Sequence, residues 1–124
     1  SKSMHKRLRL ILIDGAPDAL EVFLKPEYGY EWEVIDCFAF HNDTVSREIT
    51  WSYMDGTIGI SKGSAGVVAS NIRVPIAGHT TLVDNSLTGK LVLDHLICAK
   101  AWVTIISSGK ILKIRALVKE SKVL

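Results

Sequence analysis

The stretch KILKIRALVK, residues 110–119, carries the pattern that decides the fold class. Apolar side chains recur at every second position, and most of the positions between them are basic. One face therefore holds Leu112, Ile114, Ala116 and Val118, and the other holds Lys113, Arg115 and Lys119 together with Ile111 and Leu117. A period of two is typical of a β-strand that packs one face on a core.

Runs of the same kind recur along the chain, with Gly, Asn, Asp or Pro between them. They cover residues 5–13, 19–25, 31–40, 45–54, 57–61, 67–76, 91–98 and 102–106, and residues 62–66 read as a small, flexible connection. Residues 19–25 could also form one or two helical turns from Pro17, but their alternation favours a strand. About eight strands predict an all-β fold, an antiparallel β-sandwich or jelly roll, with residues 1–124 as one domain.

Two of these runs allow their faces to be assigned. In residues 5–13 one face holds Leu8, Leu10 and Leu12, and the other holds Arg7 and Arg9. Residues 31–40 are apolar on both faces, which predicts a central strand covered on two sides. Simple alternation there places Trp32, Val34, Phe38 and Phe40 on one face, with Asp36 as the odd residue, and Ile35, Cys37 and Ala39 on the other.

The predicted core is centred on aromatic and aliphatic side chains that lie within apolar strand faces. It consists of Trp51 and Trp102 with Ile49, Ile105, Leu112, Ile114 and Val118. The two cysteines, Cys37 and Cys98, sit in apolar runs, where free thiols behave as small hydrophobic side chains. We therefore expect two buried thiols, although the sequence leaves a disulfide between them open.

Charge is segregated along the chain. Residues 1–13 carry four bases and no acid, residues 14–55 carry two bases and ten acids, and the remainder carries nine bases and three acids. Like charges on directly opposed strand positions repel, so both basic ends need acidic partners. Those partners lie either in the same chain, on the strand with Glu31 and Glu33, or on a neighbouring molecule.

The second case predicts self-association or docking, with residues 1–7 as an extended basic arm. The interface candidates are then Lys2, Lys6, Arg7, Arg9, Tyr28 and Tyr30, since the two tyrosines lie in a turn. The basic residues alternate with aliphatic ones, not with aromatic ones that could stack on bases, which argues against nucleic-acid binding. No apolar run approaches the roughly 18 residues of a membrane span, and no secretory leader is expected.

Residue types that carry chemistry do not form a catalytic pattern. The histidines, His5, His41, His79 and His95, lack zinc-ligand spacing, so we expect no metal and no cofactor. His41-Asn42-Asp43 could hold a cation, but Asn and Asp in a turn more simply bind local backbone amides. Ser64 lacks a nucleophile elbow, and Glu31 and Glu33 are expected on a solvated or interface face. We predict that the protein is not an enzyme.

Three stretches together resemble a known group of proteins. PEYGYEWEV, residues 26–34, is a proline and short turn followed by a Trp-containing strand. His41-Asn42-Asp43 with Arg47, Trp51 and Asp55-Gly56 resembles the second hairpin of the same group. Residues 91–93, 103–105 and the final strand, ending at Val118-Lys119-Glu120, resemble its close. The pattern is similar to that of small jelly-roll-like structural proteins of tailed bacteriophages, of the decoration (cement) or tail-accessory kind.

The resemblance implies a virion structural protein that is assembled in the host cytoplasm and has no chemistry of its own. Its implied partners are other virion proteins, from the capsid or the tail, and further copies of itself, with a trimer among the expected states. The alternative is a carbohydrate- or receptor-binding β-sandwich. That function would require at least two coplanar exposed aromatic side chains, for which Trp32, Trp51 and Trp102 are the candidates.

Overall fold

A computed structural model describes residues 5–55, 60–68, 74–75 and 91–124, and the side chains of residues 5–52 and 92–124. The strands are β1 (Lys6–Asp14), β2 (Glu21–Leu24), β3 (Tyr30–His41), β4 (Ile49–Asp55), β5 (Ile60–Val68), β6 (Val74–Pro75), β7 (Leu91–Leu93), β8 (Ile97–Trp102) and β9 (Leu112–Lys122). Seven of them have four residues or more. The strand pairings are antiparallel, and the described residues contain no helix.

The strands form two sheets that pack face to face, which confirms the predicted β-sandwich. Sheet A has the order β1-β9-β3-β6, with β7 also paired to β3, and sheet B has the order β2-β8-β4-β5. The first and last strands are neighbours: β1 pairs with β9 without a break, from Lys6 opposite Ser121 to Asp14 opposite Lys113. The last strand therefore lies between β1 and β3, and β1 forms one edge of sheet A.

A tight turn carries the chain from β1 in sheet A to β2 in sheet B, as the sequence predicts. The Gly15 amide donates to the carbonyl of Leu112, at 2.7 Å. A Cβ at this position would lie 2.6 Å from Cγ1 of Val22 and 3.0 Å from the Leu112 carbonyl oxygen. Since real Cβ atoms do not approach that closely, the crossing between the sheets requires glycine. The strand predicted at residues 19–25 follows it, as β2.

The core lies between the two sheets. Sheet A contributes Leu112, Ile114 and Val118 from β9, and sheet B contributes Ile49 and Trp51 from β4; all five are buried as predicted. The three residues of β9 lie on one face of their strand, as do the two of β4, so alternation along the two strands is enough to identify them.

The predicted core position of Ile105 is wrong, because its side chain is 60% exposed. The strand predicted at residues 102–106 is also wrong: β8 ends at Trp102, and the residues after it leave the sheet. Trp102 itself is half-buried on the outer side of sheet B, where its indole Nε1–H donates to Oγ of Ser52 at 2.8 Å. The predicted core position of Trp102 is therefore wrong as well.

A β-bulge in β3 overturns the predicted faces of residues 31–40. Val34 is opposite Val118, and the next paired residue is Asp36, opposite Leu117, so Ile35 is the extra residue. An extra residue reverses the alternation beyond it. Cys37 and Ala39 consequently point into the core with Trp32 and Val34, while Phe38 and Phe40 lie on the outer side, which is only partly covered.

The middle of the chain differs from the prediction in one further place. Residues 62–66, expected as a flexible connection, belong to β5, which pairs with β4 from Ile49 opposite Val68 to Asp55 opposite Ile60. That pairing fits the hairpin predicted at Asp55-Gly56, whose turn lies outside the described residues. Of the predicted strand 67–76, residues 67–68 belong to β5 and residues 74–75 form β6. Residues 77–81 and 84–90, which the sequence predicts as loops, lie outside the described residues.

Both cysteines are free and buried, as predicted. Burial, and secondarily the neighbouring Asp36 carboxylate, raise the pKa of the Cys37 thiol far above its ordinary value. Burial also raises the pKa of Cys98. A raised thiol pKa removes the reactive thiolate at neutral pH, so both side chains act as apolar packing groups.

Candidate functional site

The structure brings together three of the six predicted interface residues. Arg7 and Arg9 from β1 and Tyr30 from the start of β3 line one cleft. Lys6 lies on the outer side of sheet A, where its Nζ is 3.7 Å from a carboxylate oxygen of Glu33.

The other two candidates lie elsewhere. Tyr28 is exposed and packs edge to face on His95, with ring centroids 4.7 Å apart. Lys2 lies outside the described residues. Of the arm predicted for residues 1–7, Lys6 and Arg7 belong to β1 and pair with β9.

The cleft opens between the edge of sheet A formed by β1 and the chain that leaves β2. Its volume is about 430 Å³. The lining residues are Arg7, Arg9, Ile11, Ile13, Lys25, Glu27, Tyr30, Trp32 and Glu120. Basic side chains therefore stand beside an apolar and aromatic wall, an arrangement that suits an amphipathic anion only if the basic groups are free.

Glu120 of β9 already binds the two arginines of the cleft. Its carboxylate accepts a hydrogen bond from Arg9 Nη1 at 2.6 Å, from Arg7 Nη2 at 3.1 Å and from Trp32 Nε1 at 2.9 Å. Burial raises the pKa of the Glu120 carboxyl, but the hydrogen bonds from Trp32, Arg9 and Arg7 outweigh it, so the pKa lies below its ordinary value. The carboxylate stays ionised and offsets one of the two positive charges at the centre of the cleft.

Charges elsewhere on β1 and β9 are also paired within the chain. The two basic ends are neighbouring strands, yet their register puts Arg7 opposite Glu120 and Asp14 opposite Lys113, and no base of either strand lies opposite another base. Asp14 also accepts from Arg115 Nη1 at 3.0 Å. The sequence leaves two sources of acidic partners open, the same chain or a neighbouring molecule, and the structure contains partners from the same chain. They are Glu33 on the predicted acidic strand and Glu120 on β9.

The His41-Asn42-Asp43 turn binds backbone amides, as the simpler of its two interpretations predicts. The buried Asp43 carboxylate accepts from the amides of Thr44 at 2.7 Å and Ser107 at 2.8 Å, and from Arg47 Nε at 2.9 Å. Burial raises the pKa of Asp43, but these hydrogen bonds outweigh it and hold the pKa well below its ordinary value.

His41 belongs to the same turn, and its Nδ1 accepts from the Asp43 amide at 3.0 Å. Burial lowers the pKa of His41, and the nearby Arg47 guanidinium lowers it further. The Asp43 carboxylate raises the pKa but does not outweigh the other two effects. A neutral imidazole that accepts a backbone hydrogen bond is a structural part of the turn, which joins the end of β3 to the loop after β8.

The outer side of sheet A carries an exposed apolar surface. Leu8, Leu10 and Leu12 of β1 point outward and are 62%, 66% and 61% exposed. Leu117 of β9 lies directly opposite Leu10, and the bulge residue Ile35 of β3 follows next to it. These five side chains, here called the leucine face, form one apolar area across three adjacent strands.

Cationic side chains cover the aromatic end of the same sheet but leave the leucine face open. Phe38 and Phe40 stack at 5.9 Å, and Lys113 and Arg115 lie over the Phe40 ring at 5.7 and 5.4 Å from its centroid. Long basic side chains thus shield Phe40 from water. The three leucines of β1 have no such cover, and large exposed apolar areas are typical of interaction sites.

The sequence predicts that Leu8, Leu10 and Leu12 share one face of a strand, but it does not show whether that face is buried or exposed. The available signal was Arg9, which shares its face with Ile11 and Ile13 and finds a buried carboxylate there. That carboxylate lies 111 residues away, so the chain order gives no indication of it.

Comparison of the chain with protein-family models, with curated proteins and with solved structures found no match. Within the described residues, no three His, Cys, Asp or Glu side chains are placed to hold a metal ion. A search of the same residues for a helix of membrane-spanning length and hydropathy found none.

Proposed function

We propose that the protein is a non-enzymatic assembly protein that binds another protein through the leucine face. The exposure of Leu8, Leu10 and Leu12 on one strand carries the proposal. Each leucine that a partner removes from water contributes about 1.5–3 kcal/mol, and the outward stripe provides three of them side by side. A surface with this composition is costly in water and becomes favourable when a second protein covers it.

The charges around the leucine face support a specific contact. Lys119 and Arg115 lie beside the leucines on β9, and Glu33 and Asp36 lie beyond them on β3. An apolar centre with a rim of both signs is the usual anatomy of a protein–protein interface. The rim would select the orientation of the partner, and the leucines would supply most of the free energy of binding.

The polar groups best placed for chemistry are used to hold the fold. Glu120 and Asp43 each accept several hydrogen bonds from within the chain, and His41 accepts a backbone hydrogen bond. Groups that are saturated in this way are poor acids, bases or ligands, because each would have to give up a partner first. This supports a function in binding.

For the biological setting we propose a virion of a tailed bacteriophage, with the protein as a decoration or tail-accessory subunit. The support for this setting is the resemblance of the three sequence stretches. The alternative, a carbohydrate-binding module, loses its main support because Trp32 and Trp51 are buried and Trp102 is half-buried.

The test uses purified capsid shells and tail tubes of tailed phages as probes, with co-sedimentation as the measurement. Wild-type protein should sediment with one of the two probes, and Ile35→Lys, which places a charge on the β3 side of the leucine face, should not. Thr104→Lys, an exposed position in the loop after β8, is the matched control and should behave like wild type. Equal binding of wild type and Ile35→Lys would overturn the proposed surface. Failure to bind either probe would overturn the virion setting.

A further inference from the structure

The free edge of β1 is open to another strand. Among the described residues β1 is the terminal strand of sheet A, and its nine residues contain no proline, glycine or break in register. Proteins usually protect such edges with short strands, bulges, proline or outward charges. β1 has none of these at its centre, where the outward side chains are Leu8, Leu10 and Leu12.

The direction of the backbone groups shows which residues face that edge. The Gly15 amide donates to the carbonyl of Leu112, the first residue of β9, and this pair continues the β1–β9 register by one residue beyond Asp14 and Lys113. Backbone groups of a strand alternate between its two sides, so the odd-numbered residues of β1 bind β9. The N–H and C=O groups of the even-numbered residues, from Lys6 to Asp14, therefore point to the free edge.

The same even-numbered residues form a sequence that is complementary to itself in the antiparallel direction. In order they are Lys6, Leu8, Leu10, Leu12 and Asp14. If two such strands run antiparallel with Leu10 opposite Leu10, each Leu8 meets Leu12 and each Lys6 meets Asp14. A shift of two residues in either direction keeps the hydrogen bonds but places a charge opposite a leucine, so the charges favour this one register.

We propose that β1 pairs antiparallel with β1 of a second copy, with Leu10 at the two-fold axis, so that two A sheets become one continuous sheet. The inference rests on the proposed function and deepens it, since it names the chain itself as a partner at the edge of the leucine face. Such pairing is isologous and closed, and the backbone hydrogen bonds give affinity while the side chains fix the register.

Nothing on β1 among the described contacts obstructs the edge. Glu120 holds Arg7 and Arg9 over β9, on the side away from the edge. Lys6 and Asp14 are both more than half exposed, so each can contact a second charge while keeping its partner within the chain. The joined strand pair would also extend the leucine face from three β1 leucines to six.

The first test removes one hydrogen-bond donor at the axis. Leu10→Pro deletes an N–H that faces the free edge and leaves the β1–β9 ladder intact, as edge strands tolerate. By symmetry the dimer loses two hydrogen bonds, so its dissociation constant in sedimentation equilibrium should rise about tenfold or more. Ile35→Lys, two strands away from the edge, is the control and should leave dimerisation unchanged.

The second test addresses the register and does not depend on proline being tolerated. Lys6→Glu places two carboxylates opposite each other at both ends of the strand pair, and Asp14→Lys does the same with two amines. Each should raise the dissociation constant about tenfold, because like charges directly opposite each other destabilise strand pairs. The double variant Lys6→Glu with Asp14→Lys should restore dimerisation, which a merely structural role of either residue would not predict.

The outcomes separate this inference from the proposed function. A wild-type protein that is monomeric at roughly 1 mM, the weak end of specific association, would overturn the pairing of β1 strands. So would a dimer that is indifferent to Leu10→Pro and to both charge changes. Binding to capsid shells or tail tubes that depends on Ile35 but not on Leu10 would uphold the leucine face and reject self-pairing.

Discussion

The two sides of β1 have opposite surroundings. Leu10 is 66% exposed, whereas Ile11, the next residue, is 7% exposed and belongs to the core. The inward side also holds the arginines, which bind the buried carboxylate of Glu120, and the outward side holds the leucines. The strand thus places part of its charge inside and most of its apolar surface outside, the reverse of an ordinary edge strand.

The difference shows what each side contributes. The inward charges have their partners within the chain, so they serve the fold, and they leave no unmatched arginine at the centre of the cleft. The outward leucines contribute little to the stability of the isolated chain, because most of each side chain stays in water. Large exposed apolar areas of this kind are typical of interaction sites, which is the basis of the proposed contact.

Substitutions at two adjacent residues, Ile11 and Leu10, should show the largest difference between the two sides of β1. Ile11→Ala should lower the free energy of unfolding by about 2–4 kcal/mol, because it leaves a cavity beside Ala116 and Ile114. Leu10→Ala, one residue away, should cost less than about 0.5 kcal/mol in the monomer, since an exposed side chain loses little. Urea titration at low protein concentration measures both. Similar losses for the two variants would mean that the leucine is not exposed.

Glu120→Ala should have the next largest effect. It removes the partner of two arginines and of the Trp32 indole, and hydrogen bonds to charged groups contribute about 1.5–3 kcal/mol. We expect a loss of about 2 kcal/mol, since water in the cleft can hydrate part of what is exposed. Lys119→Ala, the outward neighbour on the same strand, is the control and should cost less than about 0.5 kcal/mol. An unchanged stability of Glu120→Ala would contradict the inward pairing.

The sequence predicted the fold class because the alternation in β1, β4 and β9 is regular. The same alternation assigns the wrong side chains of β3 to the core, because one bulge residue, Ile35, shifts every later side chain to the other face. Nothing in the local sequence distinguishes that residue from its neighbours. The bulge is visible only in the pairing of β3 with β9, a contact distant in the chain.

The candidate site was predicted in part for a similar reason. The sequence predicts Arg7, Arg9 and Tyr30 as interface residues, and all three line one cleft. Their roles depend on Glu120, which the sequence placed in an unremarkable basic tail. The register of β1 against β9 decides that Arg7 faces an acid, and only the register shows that the leucines are left outside.

Acid should remove the contribution of Glu120 in a defined direction. Its pKa in the folded protein is lowered, so the unfolded chain takes up the proton first. The stabilisation is complete above the ordinary glutamate pKa of about 4.3 and is lost as the pH falls through the folded pKa. Wild type should therefore exceed Glu120→Gln by about 1 kcal/mol at neutral pH, and the gap should close in acid. A gap that is independent of pH would contradict an ionised, buried carboxylate.

The smallest effect should come from the outward ion pair of Lys6 and Glu33. The two charged atoms are 3.7 Å apart, and the lysine side chain is about half exposed. Exposed pairs of this kind contribute about 0–1 kcal/mol, because water screens them and two long side chains must be ordered. Lys6→Ala should therefore change monomer stability by less than about 0.5 kcal/mol, and less still in high salt. Arg9→Ala provides the contrast: its guanidinium is 2.6 Å from the buried Glu120, so its loss should exceed that of Lys6→Ala. If the two alanine variants lose equally, the inward and outward charges of β1 are equivalent, and the distinction between its two sides fails.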